Sequence, residues 1–255
     1  MFLAVFICMV SRRGFLTVLF TVLVSFLSSI LYGAIGIRFR NSRVEKHAET
    51  LNLNILKLPK PKTIGKVSVE EAIAKRRSIR EYRGEPLTIE ELSQILWAAQ
   101  GVTDPINMFR AAPSAGALYP LEVYVVVKSN GVIGLNPGIY KYNSLNHEIT
   151  KIREGDFSYD LFKACLSQEW VKNAQVNIVI TAIYGRTTWR YGDRGRERYV
   201  HMEVGHVGEN IYLQCVALGL GTVAVGAFID DQVWSVLGNP KDEAPLYVMP
   251  IGRVL

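Results

Sequence analysis

The sequence GIYKYNSLNHEITKI, residues 138–152, contains two β-prone runs separated by a short polar segment. Residues 138–142 and 147–152 are rich in β-branched and aromatic side chains, and residues 143–146 between them are mostly polar and suit a turn. This pattern predicts a β-hairpin. Because a hairpin pairs its strands antiparallel, the sheet that contains it is not built wholly from parallel βαβ units.

The neighbouring segments extend this pattern in both directions. Apolar, β-branched runs predict further strands at 121–127, 176–184, 222–226 and 246–254. Helical periodicity and capping signals predict helices at 68–77, 88–100, 159–168, 197–218 and, capped by Asp230, 230–237. Helices and strands mix without strict βαβ repetition, and this order favours an α+β fold over a doubly wound sheet.

Composition and charge limit the classes of function. The 255 residues carry a net charge of +6, and 49% of them are hydrophobic, which suffices for a sizeable core. Basic and acidic residues are well mixed outside one arginine cluster, so we expect no nucleic-acid partner. The three cysteines form no C-x-x-C pair, and the four histidines have no partners at zinc-ligand spacing. We therefore predict buried cysteines and no metal site.

The N-terminal region has the composition of a leader. SRRGFL, residues 11–16, begins an uncharged apolar stretch that ends at Ile37 and resembles a twin-arginine export signal. The alternative is a membrane anchor, because residues 15–37 are long enough to cross a hydrocarbon core of ~30 Å. Residues 38–66 are predicted as a connector and 67–255 as the folded domain. We expect an exported or membrane-anchored protein, with the cytoplasmic face of the membrane as the alternative location.

RRSIREY, residues 76–82, places three arginines around a serine. Arg76 and Arg80 are four residues apart, so a continuing helix would bring them to one face, with Ser78 between them in sequence. Guanidinium groups and a hydroxyl together suit a phosphate or an electron-rich ring edge. The alternative is a solvated basic helix end, where arginines interact favourably with the helix dipole.

Three other segments have unusual composition. APSAGALYP, residues 112–120, is an uncharged run of small residues between prolines, which would let a planar ligand approach the backbone, although a plain connecting loop has the same composition. GLGTVAVGAF, residues 219–228, lacks the G-x-G-x-x-G spacing of a dinucleotide-binding turn. PIGR, residues 250–253, ends in Arg253, a second candidate phosphate ligand.

RRSIREY, APSAGALYP, a long helix ending in GLGT and a terminal PIGR occur in this order in the nitroreductase family of flavin enzymes, which the chain resembles over residues 58–255. Within that family it is most similar to the SagB-type, or azoline oxidase, branch. The resemblance implies an interlocked homodimer of α+β subunits, each with a mostly antiparallel sheet flanked by helices. It also implies FMN at the subunit interface, NAD(P)H or another electron donor, and a small-molecule acceptor.

The resemblance further implies roles for individual residues. The phosphate, ribityl chain and pyrimidine edge of the flavin would be contacted by Arg76, Arg77, Ser78 and Arg80, with Arg253 assisting at the phosphate. The ring would be lined from the other subunit by Pro113, Ser114, Ala115 and Gly116, and backbone near N5 would come from Gly226 and Ala227. The long helix would form much of the dimer core, with close packing permitted by Gly205 and Gly208.

TWRYGDRGRERY, residues 188–199, resembles the W-K-Y-G segment of azoline oxidases, where a lysine–tyrosine pair is implicated in proton removal. Arg190 stands at the lysine position, and Tyr191 is kept. Because arginine has a pKa above ~12, it is a poor base, which weakens the case for azole formation. Tyr191 remains a candidate proton donor or acceptor, with a packed surface tyrosine as the alternative.

These observations predict an FMN-dependent oxidoreductase that passes hydride or electrons to a second substrate. Two alternatives stay open from the sequence. One is an azoline-to-azole peptide dehydrogenase, suggested by the branch that the chain resembles. The other is a non-catalytic exported flavin-binding module, suggested by the leader and by Arg190.

Overall fold

The computed structural model describes residues 54–255 of the chain. The strands are β1 (Ile55–Lys57), β2 (Tyr82–Arg83), β3 (Val102–Asp104), β4 (Phe109–Arg110), β5 (Leu121–Val127), β6 (Gly138–Asn143), β7 (Glu148–Glu154), β8 (Val176–Ala182), β9 (Leu220–Thr222) and β10 (Ala244–Val254). The helices are α1 (Val69–Lys75), α2 (Ile89–Gln100), α3 (Ser158–Ala164), α4 (Glu169–Asn173), α5 (Gly185–Arg194), α6 (Val200–Leu218) and α7 (Asp230–Val236).

An eight-stranded sheet forms the centre, in the order β1-β7-β6-β5-β8-β10-β2, with β9 also paired to β10. Every pairing in this sheet is antiparallel. The predicted hairpin is confirmed as β6–β7, whose register runs from Gly138 opposite Glu154 to Asn143 opposite Glu148. The predicted α+β class with a mostly antiparallel sheet is therefore confirmed.

Both faces of the sheet are covered by helices. Along β5, alternate side chains enter two separate hydrophobic clusters, with Val123 and Val125 in one and Tyr124 and Val126 in the other. Helices α2 and α6 cover the first cluster, and α3 and α7 cover the second. Because both faces of β5 and β8 are buried, their sequences are continuously apolar instead of alternating between apolar and polar residues. Cys215 and Cys165 are buried free cysteines, as predicted.

The capping signals place two helix starts correctly. The Ser68 hydroxyl accepts a hydrogen bond from the Glu71 amide at 3.1 Å. At α2 the capping box is complete, because the Thr88 hydroxyl accepts from the Glu91 amide and the Glu91 carboxylate accepts from the Thr88 amide. Both contacts satisfy amides that have no partner within the helix.

Helix α1 ends at Lys75, two residues earlier than predicted. Arg76 follows with φ −54° and ψ 124°, so the chain leaves the helix at that residue. The prediction that a helix places Arg76 and Arg80 on one face is therefore wrong. Another arrangement, described below, brings them to the same side.

Other element boundaries also differ from the predictions. The helix predicted at 159–168 ends at Ala164, because Leu166 and Ser167 adopt left-handed conformations with φ of 54° and 56°, and the separate helix α4 begins at Glu169, after the predicted range. The strand predicted at 222–226 ends at Thr222, and Val225 forms only an isolated bridge with Val248. Asp230 is the first residue of α7, and its N-cap is Ile229, which makes no side-chain capping bond.

Residues 54–66, which were assigned to the predicted connector, belong to the same compact unit as residues 67–255. Residues assigned to the predicted connector form β1 and pack onto α2, where the Ser93 hydroxyl donates to the Pro59 carbonyl at 2.6 Å and the Gln94 side chain pairs with the backbone of Lys62. The predicted leader, residues 1–37, lies outside the described residues. Within residues 54–255, no helix has the length and apolarity needed to cross a membrane.

Candidate functional site

Residues 76–80 form an extended segment on the edge of β9. Ser78 forms a parallel bridge with Thr222, and the Ile79 amide donates to the Thr222 carbonyl at 2.9 Å. Because successive side chains of an extended chain point to opposite sides, Arg76, Ser78 and Arg80 share one side of the segment. We call these three residues the arginine edge.

Gly221 permits the close approach of this segment to β9. A Cβ atom at Gly221 would lie 2.7 Å from Cγ2 of Ile79 and 2.8 Å from its Cβ. Real Cβ contacts are longer than this, so any larger residue at position 221 would push residues 76–80 outward. Gly221, the second glycine of GLGT, is therefore required for the RRSIREY segment to pack against β9.

The arginines of the edge face aromatic rings rather than acids. The Arg76 Cζ lies 5.1 Å from the Tyr212 ring centroid, and the Arg80 Cζ lies 5.3 Å from that of Trp170. Among residues 54–255, no carboxylate oxygen lies within 4.0 Å of either guanidinium group. Two arginines without an ionic partner, beside an exposed serine, form a cationic surface suited to an anion.

Tyr212 joins the arginine edge to the segment after β9. Its hydroxyl shares a hydrogen bond with the Ser78 hydroxyl at 3.1 Å and accepts one from the Ala224 amide at 2.7 Å. Gly226 and Ala227 follow within three residues and are exposed. Tyr212 therefore connects Ser78 of the first segment to Ala224, which lies two residues before Gly226. Arg77 instead donates to the carbonyls of Ala74 and Arg76 at the end of α1.

Arg253 lies near the same end of the sheet, opposite Arg83 of β2 and Leu220 of β9. Its guanidinium group binds both carboxylate oxygens of Glu91, at 3.0 and 2.9 Å. A bidentate pair of this kind fixes the side chain firmly. The role of Arg253 at a phosphate stays a prediction. In that role, its guanidinium group would have to bind the phosphate and the Glu91 carboxylate at the same time.

Residues 112–120 form a tight loop with unusual backbone geometry. Gly116, Ala117 and Tyr119 have φ of 64°, 53° and 46°, which is costly for the two residues that carry a Cβ. The Ser114 hydroxyl accepts a hydrogen bond from the Tyr119 amide at 2.9 Å and closes the loop. The candidate residues Pro113, Ser114, Ala115 and Gly116 all lie in this loop.

Arg190 and Tyr191, from α5, contact that loop. A Cβ at Gly116 would lie 2.7 Å from the Tyr191 hydroxyl and 3.1 Å from Nη1 of Arg190. Tyr191 also packs edge-on against Tyr199, with ring centroids 5.1 Å apart. The structure therefore brings Arg190 and Tyr191 to the Gly116 tip of the loop within one chain, where any larger residue would have to displace the Tyr191 hydroxyl.

Glu203 of α6 is a buried carboxyl group that the sequence interpretation missed. Glu203 is 2% exposed, and its carboxylate accepts a hydrogen bond from the side-chain amide of Gln100 at 3.4 Å. Burial raises the pKa of Glu203 to about 7, and the neighbouring Ser114 hydroxyl and Gln100 amide lower it in part. Glu203 falls in the apolar stripe of Val200, Val204 and Val207, and an acid at a stripe position was the signal that could have revealed it.

A family profile described as "Nitroreductase family" matches residues 73–253. The chain belongs to the nitroreductase family. "Putative nitroreductase MJ1384" of Methanocaldococcus jannaschii is 49% identical over 190 residues, which are 74% of this chain and 93% of that protein. Nitroreductase membership makes the chain an oxidoreductase and confirms the family predicted from the sequence.

Two other relatives of this nitroreductase fit the predicted branch. They are the trifolitoxin operon protein TfxC of Rhizobium leguminosarum bv. trifolii, 26% identical over 71% of this chain, and the microcin B17-processing protein McbC of Escherichia coli, 25% identical over 66%. The matches span 54% and 63% of those proteins. Among solved structures, a putative nitroreductase of Ralstonia eutropha superposes with a TM-score of 0.70 at 29% identity, covering 79% of this chain and 90% of that one.

Proposed function

We propose that this nitroreductase is an FMN-dependent enzyme in which two subunits hold the flavin between them and a small-molecule acceptor is reduced. The observation that carries the proposal is the arginine edge, because it presents two guanidinium groups and a hydroxyl with no carboxylate partner among residues 54–255. FMN fits this donor set, since its phosphate and its pyrimidine oxygens both accept hydrogen bonds from such groups.

The separation of the candidate residues supports a site shared by two subunits. Tyr212 contacts the arginine edge, whereas Glu203 lies under the 112–120 loop, and the two residues are nine positions apart on α6. Nine residues of α-helix span ~13.5 Å, so the two halves of the candidate site are well separated along this helix. A second copy of the chain would supply the loop of one subunit to the arginine edge of the other.

One face of α6 is available for that second copy. Met202, Gly205, His206 and Glu209 recur at helical spacing and are exposed, and Met202 is 56% exposed. A Cβ at Gly205 would meet no atom of residues 54–255 within 4 Å, apart from the neighbouring backbone of its own helix. An exposed glycine with an apolar neighbour permits a partner helix to pack closely.

Gly205→Leu is expected to convert a dimer to a monomer. Position 205 is exposed and has open space for a Cβ among residues 54–255, and in a helix leucine is favoured over glycine by about 1 kcal/mol, so the single subunit should stay folded. Light scattering coupled to size exclusion measures the mass. Gly65→Leu is the matched control, because position 65 is equally open. A dimer that persists in the Gly205 variant would show that α6 is not the interface.

The residues of each half have separable tasks in the proposed enzyme. The arginine edge would hold the anionic groups of FMN, and bound FMN supplies the two-electron redox chemistry of the family. The 112–120 loop would bring small residues and backbone amides close to the ring. Tyr191, whose hydroxyl lies at the loop tip, is placed to hold or transfer a proton. Arg190 would contribute a fixed positive charge.

A visible absorption spectrum of the purified protein, recorded before and after FMN is added and the excess removed, tests the proposal. We expect a flavin band that stays with the protein. Anaerobic mixing with NADH, NADPH, a quinol and dithionite then identifies the donor and separates an enzyme from a non-catalytic flavin carrier. Protein that retains no flavin after reconstitution contradicts the proposal. Azoline oxidation is not proposed, since Arg190 stands where that chemistry uses a lysine.

A further inference from the structure

A cavity of about 630 Å³ opens beside the 112–120 loop. Leu118 and Tyr119 of the loop, apolar residues of β5 and β7 such as Val123 and Ile152, and several charged side chains line it. This volume is that of sites for small molecules, which bury most of a ligand against apolar walls and orient it with a few polar groups. No role assigned above to the arginine edge or to Tyr191 uses this cavity.

The charged residues of the lining are not equivalent. Lys141 lies 3.0 Å from the Glu122 carboxylate and 2.8 Å from that of Glu243, and Arg186 lies 2.5 Å from Glu122. Arg110 is different, because no carboxylate oxygen lies within 4.0 Å of it among residues 54–255. Arg110 is therefore the lining cation whose charge is not already neutralised by a close ion pair.

The Arg110 guanidinium is also incompletely hydrogen-bonded. Its Nη1 donates to the Gln100 side chain at 3.2 Å, but Nε is buried without a partner in the described part of the chain. Burial lowers the pKa of Arg110, because holding its positive charge away from water costs free energy. The charges of Glu122 and Glu203 offset this cost in part, but neither carboxylate contacts the guanidinium directly. A directly bound anion is therefore what the arrangement lacks.

The strained loop holds Arg110 in place. The Tyr119 ring centroid lies 4.4 Å from the Arg110 Cζ, and the Tyr119 hydroxyl accepts a hydrogen bond from the Arg110 amide at 3.1 Å. Tyr119 reaches this position through its left-handed conformation, with φ of 46°. Strain of this kind persists where surrounding contacts over-determine it, as at ligand clamps. The guanidinium plane is thus pre-positioned above a ring.

We propose that this cavity binds an organic anion, a carboxylate on an apolar or aromatic body, with Arg110 as the partner of the carboxylate. The apolar walls would take the body of the ligand. Lys141 and Arg186 are already paired with Glu122 and Glu243, which leaves Arg110 as the partner for the carboxylate. The cavity shares Leu118 and Tyr119 with the 112–120 loop of the flavin proposal, but Arg110 has no role in that proposal.

Fluorine NMR titration of the full chain with 4-fluorobenzoate tests the site directly. We expect saturable binding, at least tenfold weaker binding of 4-fluorobenzamide, and at least a tenfold loss of benzoate affinity in Arg110→Gln. Lys172→Gln removes a cation from the remote helix α4 and should leave the affinity unchanged. Circular dichroism checks that the variants are folded. If Arg110→Gln does not fold, Ile152→Trp, at a position 45% exposed, narrows the cavity and should also weaken binding.

Several outcomes overturn the proposal. They are the absence of saturation, equal binding of the acid and the amide, a folded Arg110→Gln variant that binds like the original protein, or displacement of 4-fluorobenzoate by FMN, which would assign the ligand to the flavin site. The same samples are examined for flavin retention. Protein that binds 4-fluorobenzoate but retains no flavin would contradict the proposed function and leave this site standing.

Discussion

The double variant Arg76→Gln/Arg80→Gln is expected to bind FMN about 100-fold more weakly than the original protein. Each lost charge-assisted hydrogen bond contributes ~1.5–3 kcal/mol, and a tenfold change in affinity corresponds to about 1.4 kcal/mol. Both residues belong to the arginine edge and have no carboxylate within 4.0 Å in residues 54–255. Their charges are therefore available to an anionic ligand.

Quenching of flavin fluorescence during a titration measures this affinity. Arg83→Gln is the matched control, because it removes the same charge three residues beyond Arg80 from an exposed position. Loss of the contacts to Tyr212 and Trp170 costs about 1 kcal/mol of stability each, so the double variant should remain folded. Equal affinities for the double variant and the control would remove the arginine edge from the flavin site.

Glu203→Gln is expected to stabilise the protein at pH 8 and to have little effect at pH 5. The folded-state pKa of Glu203 is raised from 4.5 to about 7 by burial. Between these values the unfolded chain loses a proton that the folded protein keeps, so the free energy of unfolding falls as pH rises and then stays low above pH 7. Glutamine keeps the shape of the protonated acid and avoids this loss, which amounts to roughly 3 kcal/mol at most.

Urea unfolding at pH 5 and pH 8, at one protein concentration, measures the difference between the variant and the original protein. Glu90→Gln is the control, because Glu90 is an exposed acid on helix α2 and does not belong to the face of α6 proposed as the interface. An equal effect of Glu203→Gln at both pH values would contradict a Glu203 carboxyl group that titrates near pH 7 in the folded protein. If the charge of Glu203 also influences the 112–120 loop, flavin affinity should follow the same pH dependence.

Local signals made much of the fold predictable. The hairpin followed from a turn-forming segment between two β-prone runs. The starts of α1 and α2 followed from capping signals, of which the box at α2 is complete and the one at α1 forms the bond from the Glu71 amide to the Ser68 hydroxyl. These signals act over four to fifteen residues and need no knowledge of distant contacts. The candidate site was found differently, from an ordered set of segments, and the structure brings the residues together in two groups.

The errors arise where distant contacts decide the conformation. Residues 76–80 are extended because the Ile79 amide bonds to Thr222, far along the chain, and nothing in RRSIREY announces this partner. The left-handed residues Leu166 and Ser167 carry none of the usual glycine or asparagine signals. Arg110 drew no attention from the sequence, because its importance lies in the absence of an ionic partner, which only packing reveals.

Strand β1 has a practical consequence for shortened forms of the chain. It pairs with the edge of β7 that faces away from β6, with Ile55 opposite Thr150 and Lys57 opposite Glu148. A truncation that starts after Lys57 would leave the amide and carbonyl groups of β7 open beside the exposed side chain of Ile152. Unpaired strand edges of this kind pair with other chains and promote aggregation. Trimming that begins before Asn54 keeps this protective strand and should give the more soluble product.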